Sequence, residues 1–353
     1  MSALADQTPP PRWIWRDGAI RPWAQATVHV NAVGHASVAA VFEGIKAYRA
    51  ADSERLLVFR LDEHLDRLLD SARLCRLHLP HTRDELRQAC LDLLAANDYR
   101  ADTYLRPWVF ARGLIREQMV PAGAECETVI DSWPFTSQLR TGAGCRAAVS
   151  SWIRVPAAAM PPRAKAFANY HNGRLALIEA RENGHDWPVM LNDRHQVAEG
   201  AAACVALVID GVLVTPSLAS GALAGITRDS LLALAREQGV PVQEREVDRS
   251  ELYLAEEIFF MGTAWEILPV VAIDGLRVGD GTQGPVAALL EREYSAIVRG
   301  QSDRRPQWLT PVEIGGPTAV LNSTVHKVSA VEPPILARLG DSEAPDQPVK
   351  GAL

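Results

Sequence analysis

The chain has 353 residues, 48 % hydrophobic and 22 % charged, with a formal net charge of −7. That length suits two domains with separate cores, because single cores rarely grow beyond about 250–300 residues. The acidic balance and the lack of a long basic run argue against nucleic acid as the main partner. Five cysteines, Cys75, Cys90, Cys126, Cys145 and Cys204, show no paired spacing, which predicts reduced thiols in a cytoplasmic protein. No run of about 18 apolar residues is present to span a membrane. The segment Met1 to Arg16 lacks an apolar targeting core and contains Pro9-Pro10-Pro11.

In chain order, Trp13 to Val30 reads as short strands around the turn Arg16-Asp17-Gly18. Ser37 to Tyr48 forms a second strand region, with Leu56 to Phe59 as its hairpin partner. Leu61 to Leu77 carries apolar residues at 61, 65, 68, 69 and 72, a helical stripe. Thr82 opens the next helix, Asp84 to Asn97, with Glu85 as the capping-box partner. Thr103 to Phe110 and Glu127 to Trp133 are further strands, completing a small α/β domain over residues 1–133. Residues 134–144, rich in Pro, Ser, Thr and Gly, read as an interdomain linker.

A larger α/β domain is expected over 145–310. Its predicted strands are Cys145 to Ile153, Pro188 to Leu191, Val205 to Ile209, Val212 to Thr215 and Glu256 to Phe260. Asp210-Gly211 marks a hairpin turn. Helices are expected over Asn172 to Asn183 and over Leu223 to Gly239, the latter capped by Gly239. From Pro311 the density of Pro, Gly, Ser and Asp predicts a flexible tail over 311–353. The fold class is thus α/β (α+β), in two domains.

The chemistry is concentrated in four short motifs: Arg163-Ala-Lys165-Ala-Phe-Ala-Asn-Tyr170, Ala198-Glu199-Gly200, Gly225-Ile226-Thr227-Arg228-Asp229 and Gly262-Thr263-Ala264. A lysine among small residues fits a tight, desolvated place in which its amine loses charge and attacks carbonyls. A carboxylate, a Gly-Ile-Thr step into a helix and a Gly-Thr-Ala turn add partners for a phosphorylated, nitrogen-bearing ring. A helix start offers free N–H groups to a phosphate. Taken singly, each residue has an ordinary structural explanation, and for Arg67 periodicity alone gives a helix-surface ion pair with Asp70.

In their order, and together with Val41-Phe42-Glu43-Gly44-Ile45-Lys46 and Tyr104-Leu105-Arg106-Pro107, these motifs resemble the class IV (fold type IV) pyridoxal-phosphate aminotransferases, most closely the branched-chain amino acid aminotransferases. The resemblance runs from near Trp13 to about Trp308. It implies pyridoxal 5′-phosphate lodged between two α/β domains, with Lys165 as covalent anchor (an internal aldimine) and proton shuttle. It implies Glu199 on the pyridine nitrogen, Tyr170 on the phenolic oxygen, and Arg67, Ile226, Thr227 and Thr263 around the phosphate. For the substrate it implies Phe42 and Tyr104, Arg106 as clamp for the side-chain carboxylate of glutamate, and main-chain groups of Thr263 and Ala264 for the α-carboxylate. The reaction implied exchanges an amino group between a branched-chain or related apolar L-amino acid and 2-oxoglutarate, in a homodimer or larger homo-oligomer. Metal, nucleic acid and membrane are not expected.

Three departures from the family pattern bear on specificity. Ser37 and Val38 replace a tyrosine-glycine pair, Cys204 replaces an asparagine, and Leu114 to Met119 replaces a glycine-rich loop. They predict a larger or more polar pocket, and leave open another amino acid or amine of specialised metabolism on the same fold, or a fold type IV lyase. A cofactor-binding protein without turnover has no need for a proton-shuttling lysine.

Overall fold

The computed structural model describes residues 9–52, 54–112, 120, 123–142 and 144–314. Its first half is built on one antiparallel sheet. Strands β1 (Trp13–Arg16) and β2 (Ala19–Pro22) turn at Asp17 and Gly18, both at positive φ. They are followed by helix α1 (Val30–Val38), β3 (Ala40–Phe42), β4 (Ile45–Arg49), β5 (Leu56–Phe59), helices α2 (Leu61–Leu74) and α3 (Arg83–Asn97), and strands β6 (Thr103–Ala111) and β7 (Cys126–Pro134). Thr82 caps α3, and its side chain accepts from Glu85 N while the Glu85 carboxylate answers the cap's own N–H. That is the reciprocal pairing expected from the sequence.

The second half contains β8 (Cys145–Val149), α4 (Phe167–Glu182), β9 (Trp187–Leu191), β10 (Val197–Gly200), β11 (Cys204–Ile209), β12 (Val212–Pro216), α5 (Ile226–Glu237), β13 (Val242–Arg245), the single-turn α6 (Glu251–Leu254), β14 (Glu257–Gly262), β15 (Glu266–Ile273), β16 (Leu276–Arg277) and α7 (Pro285–Val298). A last strand, β17 (Leu309–Val312), closes the described chain. The sheets run β17-β5-β4-β6-β7-β1-β2, with β3 on β6, and β10-β9-β8-β15-β14-β11-β12-β13, with β16 on β15. Asp210 and Gly211, both at positive φ, turn β11 into β12 as an Asp-Gly hairpin does.

One buried cluster lies under the first sheet, where Ile45, Leu105 and Ile130 meet Leu65, Leu68, Leu86 and Leu93 of α2 and α3. A second joins the two halves: Tyr48 and Phe59 of the first sheet pack with Leu231, Phe259, Tyr294 and Trp308. A third, around Val189, Val205, Val214 and Phe260, covers the other side of the second sheet. Burial of this kind contributes about 25 cal/mol for each Å² of apolar surface removed from water.

Four expectations are corrected. Val30, Ser37 and Val38, expected at strand ends, belong to helix α1 together with the unassigned residues between them, because apolar runs this short do not distinguish strand from helix. The strand expected over 37–48 is two strands, broken where Glu43 N turns to donate to Pro107 O. Phe42 and Lys46 therefore sit on different strands. Helix α4 begins at Phe167, a full turn before the expected Asn172. Finally, the chain from Pro311 does not start a tail, for Leu309–Val312 pairs with β5. Pro311 is tolerated because β17 is an edge strand, where a missing N–H removes no ladder bond. The rest of the expected tail, from residue 315, and the loop Leu114 to Met119 lie outside the described residues.

Replacing Thr82 by Ala is expected to lower stability by about 1 kcal/mol, the usual loss on removing an N-cap side chain. A urea midpoint equal to that of the unaltered protein would show that the cap contributes nothing.

Candidate active site

The cavity opens where the turn before α4, the end of β10, the start of α5 and the turn after β14 converge. Phe42, Arg67, Tyr104, Lys165, Tyr170, Glu199, Ile226, Thr227, Thr263 and Ala264 all line it. Arg106 is the one expected site residue that does not.

Lys165 is fixed through its backbone. Its N–H donates to Ser71 Oγ of α2 (3.0 Å), its carbonyl accepts from Phe42 N (3.0 Å), and the next residue, Ala166, bridges to Val41. The side chain is half-buried on the cavity wall, not desolvated as expected from its small neighbours. Its Nζ donates to Tyr170 Oη at 2.5 Å and lies 4.8 Å from the centroid of the Phe42 ring. The deeply buried lysine is Lys46. Burial pushes its pKa down while Glu266, whose Oε1 lies 2.9 Å from its Nζ, pulls it up. Lys46 is locked in that ion pair and does not line the cavity.

Glu199 is buried, and both carboxylate oxygens are engaged: Oε1 accepts from Arg154 Nε at 2.6 Å and Oε2 from Leu223 N at 3.1 Å. Arg154 is a site residue that the sequence reading missed. It follows β8 in the chain, and only tertiary packing carries it back onto β10. Thr227 is buried in the first turn of α5, after Gly225, a helix start whose leading N–H groups have no partner inside the helix. A Cβ at Gly225 would come within 2.8 Å of Cys204 Sγ, so the residue there must be small. Cys204 stands on the cavity wall with its thiol donating to Leu223 O, and burial pushes that thiol's pKa up to about 12, keeping it neutral.

Arg67 points inward. Its Nε and Nη2 each lie 2.7 Å from a Glu43 oxygen, and Nη1 donates to Ala224 O in the turn before α5, also at 2.7 Å. The surface pair with Asp70 suggested by periodicity is replaced by this buried fork, because the α2 stripe turns residue 67 towards the sheet. His64 donates from Nδ1 to Glu43 Oε2 at 2.7 Å. Burial alone would raise the Glu43 pKa, but Arg67 and His64 overcome it and hold the carboxyl down at about 2. The His64 pKa is lowered, chiefly by burial and against the pull of Glu43, so the ring is neutral at pH 7.

The apolar side of the cavity is aromatic. Phe42 packs on Phe167 (ring centroids 4.3 Å apart) and on Tyr170 (4.9 Å). Tyr104 fits over Gly44, where a Cβ would lie only 1.7 Å from the Tyr104 hydroxyl oxygen. Trp265 adds a further wall. Phe167 and Trp265 were not singled out in the sequence, although each sits beside a motif. Ser37, expected to widen the pocket, is exposed on α1 with its hydroxyl donating to Gly34 O, and it does not line the cavity.

Residues 40–273 match the amino-transferase class IV family model. The chain belongs to that family. It is 38 % identical over 304 residues to the branched-chain-amino-acid aminotransferase of Salmonella typhimurium, covering 85 % of this chain and 97 % of the relative. Among solved structures it is similar to the branched-chain amino acid aminotransferase of Thermobaculum terrenum in its PLP form, with a TM-score of 0.84, 43 % identity and coverage of 86 % and 99 %. It is also similar to the branched-chain aminotransferase of the thermophilic archaeon Thermoproteus uzoniensis with norvaline, with a TM-score of 0.80, 38 % identity and coverage of 86 % and 100 %. Within this class IV aminotransferase all five cysteines are free thiols, as expected, and no described helix is long and apolar enough to cross a membrane.

The Glu43 cluster generates a pH prediction. A carboxyl held below its unfolded value of 4.5 contributes stability that is complete above pH 4.5 and fades as pH falls towards 2. The depressed His64 pKa acts in the same direction below pH 6.5, since the unfolded ring binds the proton more readily. Glu43→Gln should therefore lower the unfolding midpoint strongly at pH 7 and by much less at pH 3. An equal loss at both values would remove the charge of Glu43 from the account.

Proposed function

We propose that this chain is a pyridoxal-phosphate-dependent branched-chain aminotransferase, exchanging an amino group between a branched-chain or related apolar L-amino acid and 2-oxoglutarate. The observation that carries this reading is one cavity uniting an amine, a phenol, a buried carboxylate, a guanidinium and a helix start beside an aromatic wall. That donor set fits pyridoxal phosphate: Lys165 Nζ for its carbonyl carbon, Tyr170 for the phenolic oxygen, Glu199 for the ring nitrogen, and Arg67, Ile226, Thr227 and Thr263 for the phosphate. When bound, the cofactor supplies an electron sink for the substrate's α-carbon and a carrier for the amino group.

The protein's part is positioning and proton transfer. Lys165 Nζ would hold the cofactor covalently and is placed to take up a proton from the substrate's α-carbon. The Tyr170 hydroxyl at 2.5 Å keeps that amine in place. Glu199, oriented by Arg154 and by Leu223 N–H, would face the ring nitrogen and hydrogen-bond to it. Arg67 and the N–H groups opening α5 balance the phosphate charge. Phe42 and Tyr104 exclude water from the apolar side of the substrate, and main-chain groups of Thr263 and Ala264 take its α-carboxylate. Arg106 stands beyond them, on the β6 face that also carries Tyr104, as the contact for a distal carboxylate.

The two sheets support reading residues 1–133 and 145–310 as two domains joined by 134–144, with β17 crossing back to the first. The free thiols support a cytoplasmic location. A homodimer is proposed, supported by the exposed apolar run of Trp23, Val28, Val30, Val33 and Val38. Light scattering at micromolar concentration should give the dimer mass, and Val30→Glu with Val38→Glu should shift it towards monomer. A fully active monomer would refute the dimer.

A donor panel assayed with 2-oxoglutarate tests the reaction: leucine, isoleucine and valine should turn over. Lys165→Ala should abolish turnover and the visible absorbance of the bound cofactor, and Glu199→Gln should retain cofactor but slow turnover by ~10²-fold or more. Failure of all three donors while another amine reacts well would transfer the function to that amine. An unchanged spectrum in Lys165→Ala would dismiss Lys165 as anchor.

A further inference from the structure

Arg106, the residue expected to clamp the distal carboxylate of glutamate, is already holding a carboxylate of its own chain. Arg106 and Asp131 face each other across the β6–β7 ladder. Arg106 Nε donates to Asp131 Oδ1 at 3.2 Å and Nη2 donates to Oδ2 at 2.6 Å. The guanidinium also lies over the rings of Trp133 (5.1 Å) and Trp108 (6.0 Å). Its Nη1 makes no hydrogen bond among the described residues. Tyr104, two residues back on the same strand face, stacks on Trp133 and lines the cavity, so Arg106 stands just outside the cavity's aromatic rim. Asp131 is largely buried, with 16 % of its side chain exposed against 36 % for Arg106. Burial raises its pKa, and the Arg106 guanidinium opposes that rise.

A guanidinium fork accommodates one carboxylate bidentately. A dicarboxylic substrate reaching Arg106 therefore either displaces Asp131, leaving a mostly buried carboxylate unpaired, or approaches Nη1 beside that negative charge. Both are costly. We propose that Asp131 is a specificity-determining residue: by occupying Arg106 it weakens binding of 2-oxoglutarate and glutamate and biases the second substrate towards monocarboxylic 2-oxo acids. This rests on the functional reading above and refines its acceptor. Asp131 acts through Arg106 and not by touching the substrate.

The test uses the cofactor-loaded full chain, with Asp131→Ala and Asp131→Asn. Calorimetry with glutarate, a dicarboxylate without a reacting group, reads the distal-carboxylate site apart from turnover. The KM for 2-oxoglutarate and for 2-oxobutanoate, each with saturating leucine, reads it in the reaction. Both variants should bind glutarate and 2-oxoglutarate about 10- to 100-fold more tightly, the range of one charge-assisted hydrogen-bonded pair. The KM for 2-oxobutanoate should move by less than about threefold, and adding Arg106→Ala to Asp131→Ala should cancel the gain. Unchanged or weaker glutarate binding in both variants overturns the proposal. So does an unaltered protein whose KM is lower for 2-oxoglutarate than for 2-oxobutanoate, a result that needs no variant to fold. If no branched-chain donor reacts, the functional reading fails, and the glutarate titration still decides the role of Asp131.

Discussion

The site depends on one buried carboxylate. Glu43 has no exposed surface, and its two oxygens accept from Nε and Nη2 of Arg67 and from the ring of His64. A lone carboxylate in that position would be neutral, since burial penalises charge; two donors from α2 keep it ionised. Removing one partner of such a group leaves the other buried and unpaired, which commonly costs about 3–5 kcal/mol. The cluster also has a geometric effect. It ties the break between β3 and β4 to α2, and through Arg67 Nη1 to the turn that opens α5. The start of α5 and the strands that carry the cavity's aromatic wall are therefore held by one network.

Lys165 is set by the same seam. Its backbone is pinned to Phe42 of the first sheet and to Ser71 of α2, while its side chain meets Tyr170 in the first turn of α4. The cavity's lysine is held by hydrogen bonds and left accessible. The lysine that is desolvated, Lys46, is neutralised by Glu266, which also accepts from Ser137 Oγ and Gln138 N. That second buried charge network anchors the 134–144 segment to β15. The buried lysine and the cavity-lining lysine are thus different residues, so burial alone does not point to the cavity.

Charge also shapes the substrate side. Arg154 on Glu199 and Asp131 on Arg106 are both arginine–carboxylate pairs, but they differ in what they present. Glu199 lines the cavity and offers an oriented carboxylate. Arg106 stands outside the lining with its fork occupied. Phe42, backed by Phe167, and Tyr104 give the cavity an aromatic wall.

The sequence by itself determined the α/β class and the family, most of the strands and helices, and the members of the cavity that sit in compact motifs: Lys165, Tyr170, Glu199, Ile226, Thr227, Thr263 and Ala264. These were legible because each chemical role needs a particular residue type beside small or turn-forming neighbours. Only tertiary structure decided which partner each charge takes. Arg67 has Asp70 one turn away in the helix but pairs with Glu43. Glu199 is held by Arg154 from the loop after β8, and Arg106 is held by Asp131 across a ladder whose register no short window reveals. Tertiary packing also placed Ser37 away from the cavity and turned Leu309–Val312 into an edge strand. Local pattern fixes backbone preference over a few residues, whereas the pairing of charges and strand edges depends on contacts between segments far apart in the chain, and those exist only once the two sheets have formed.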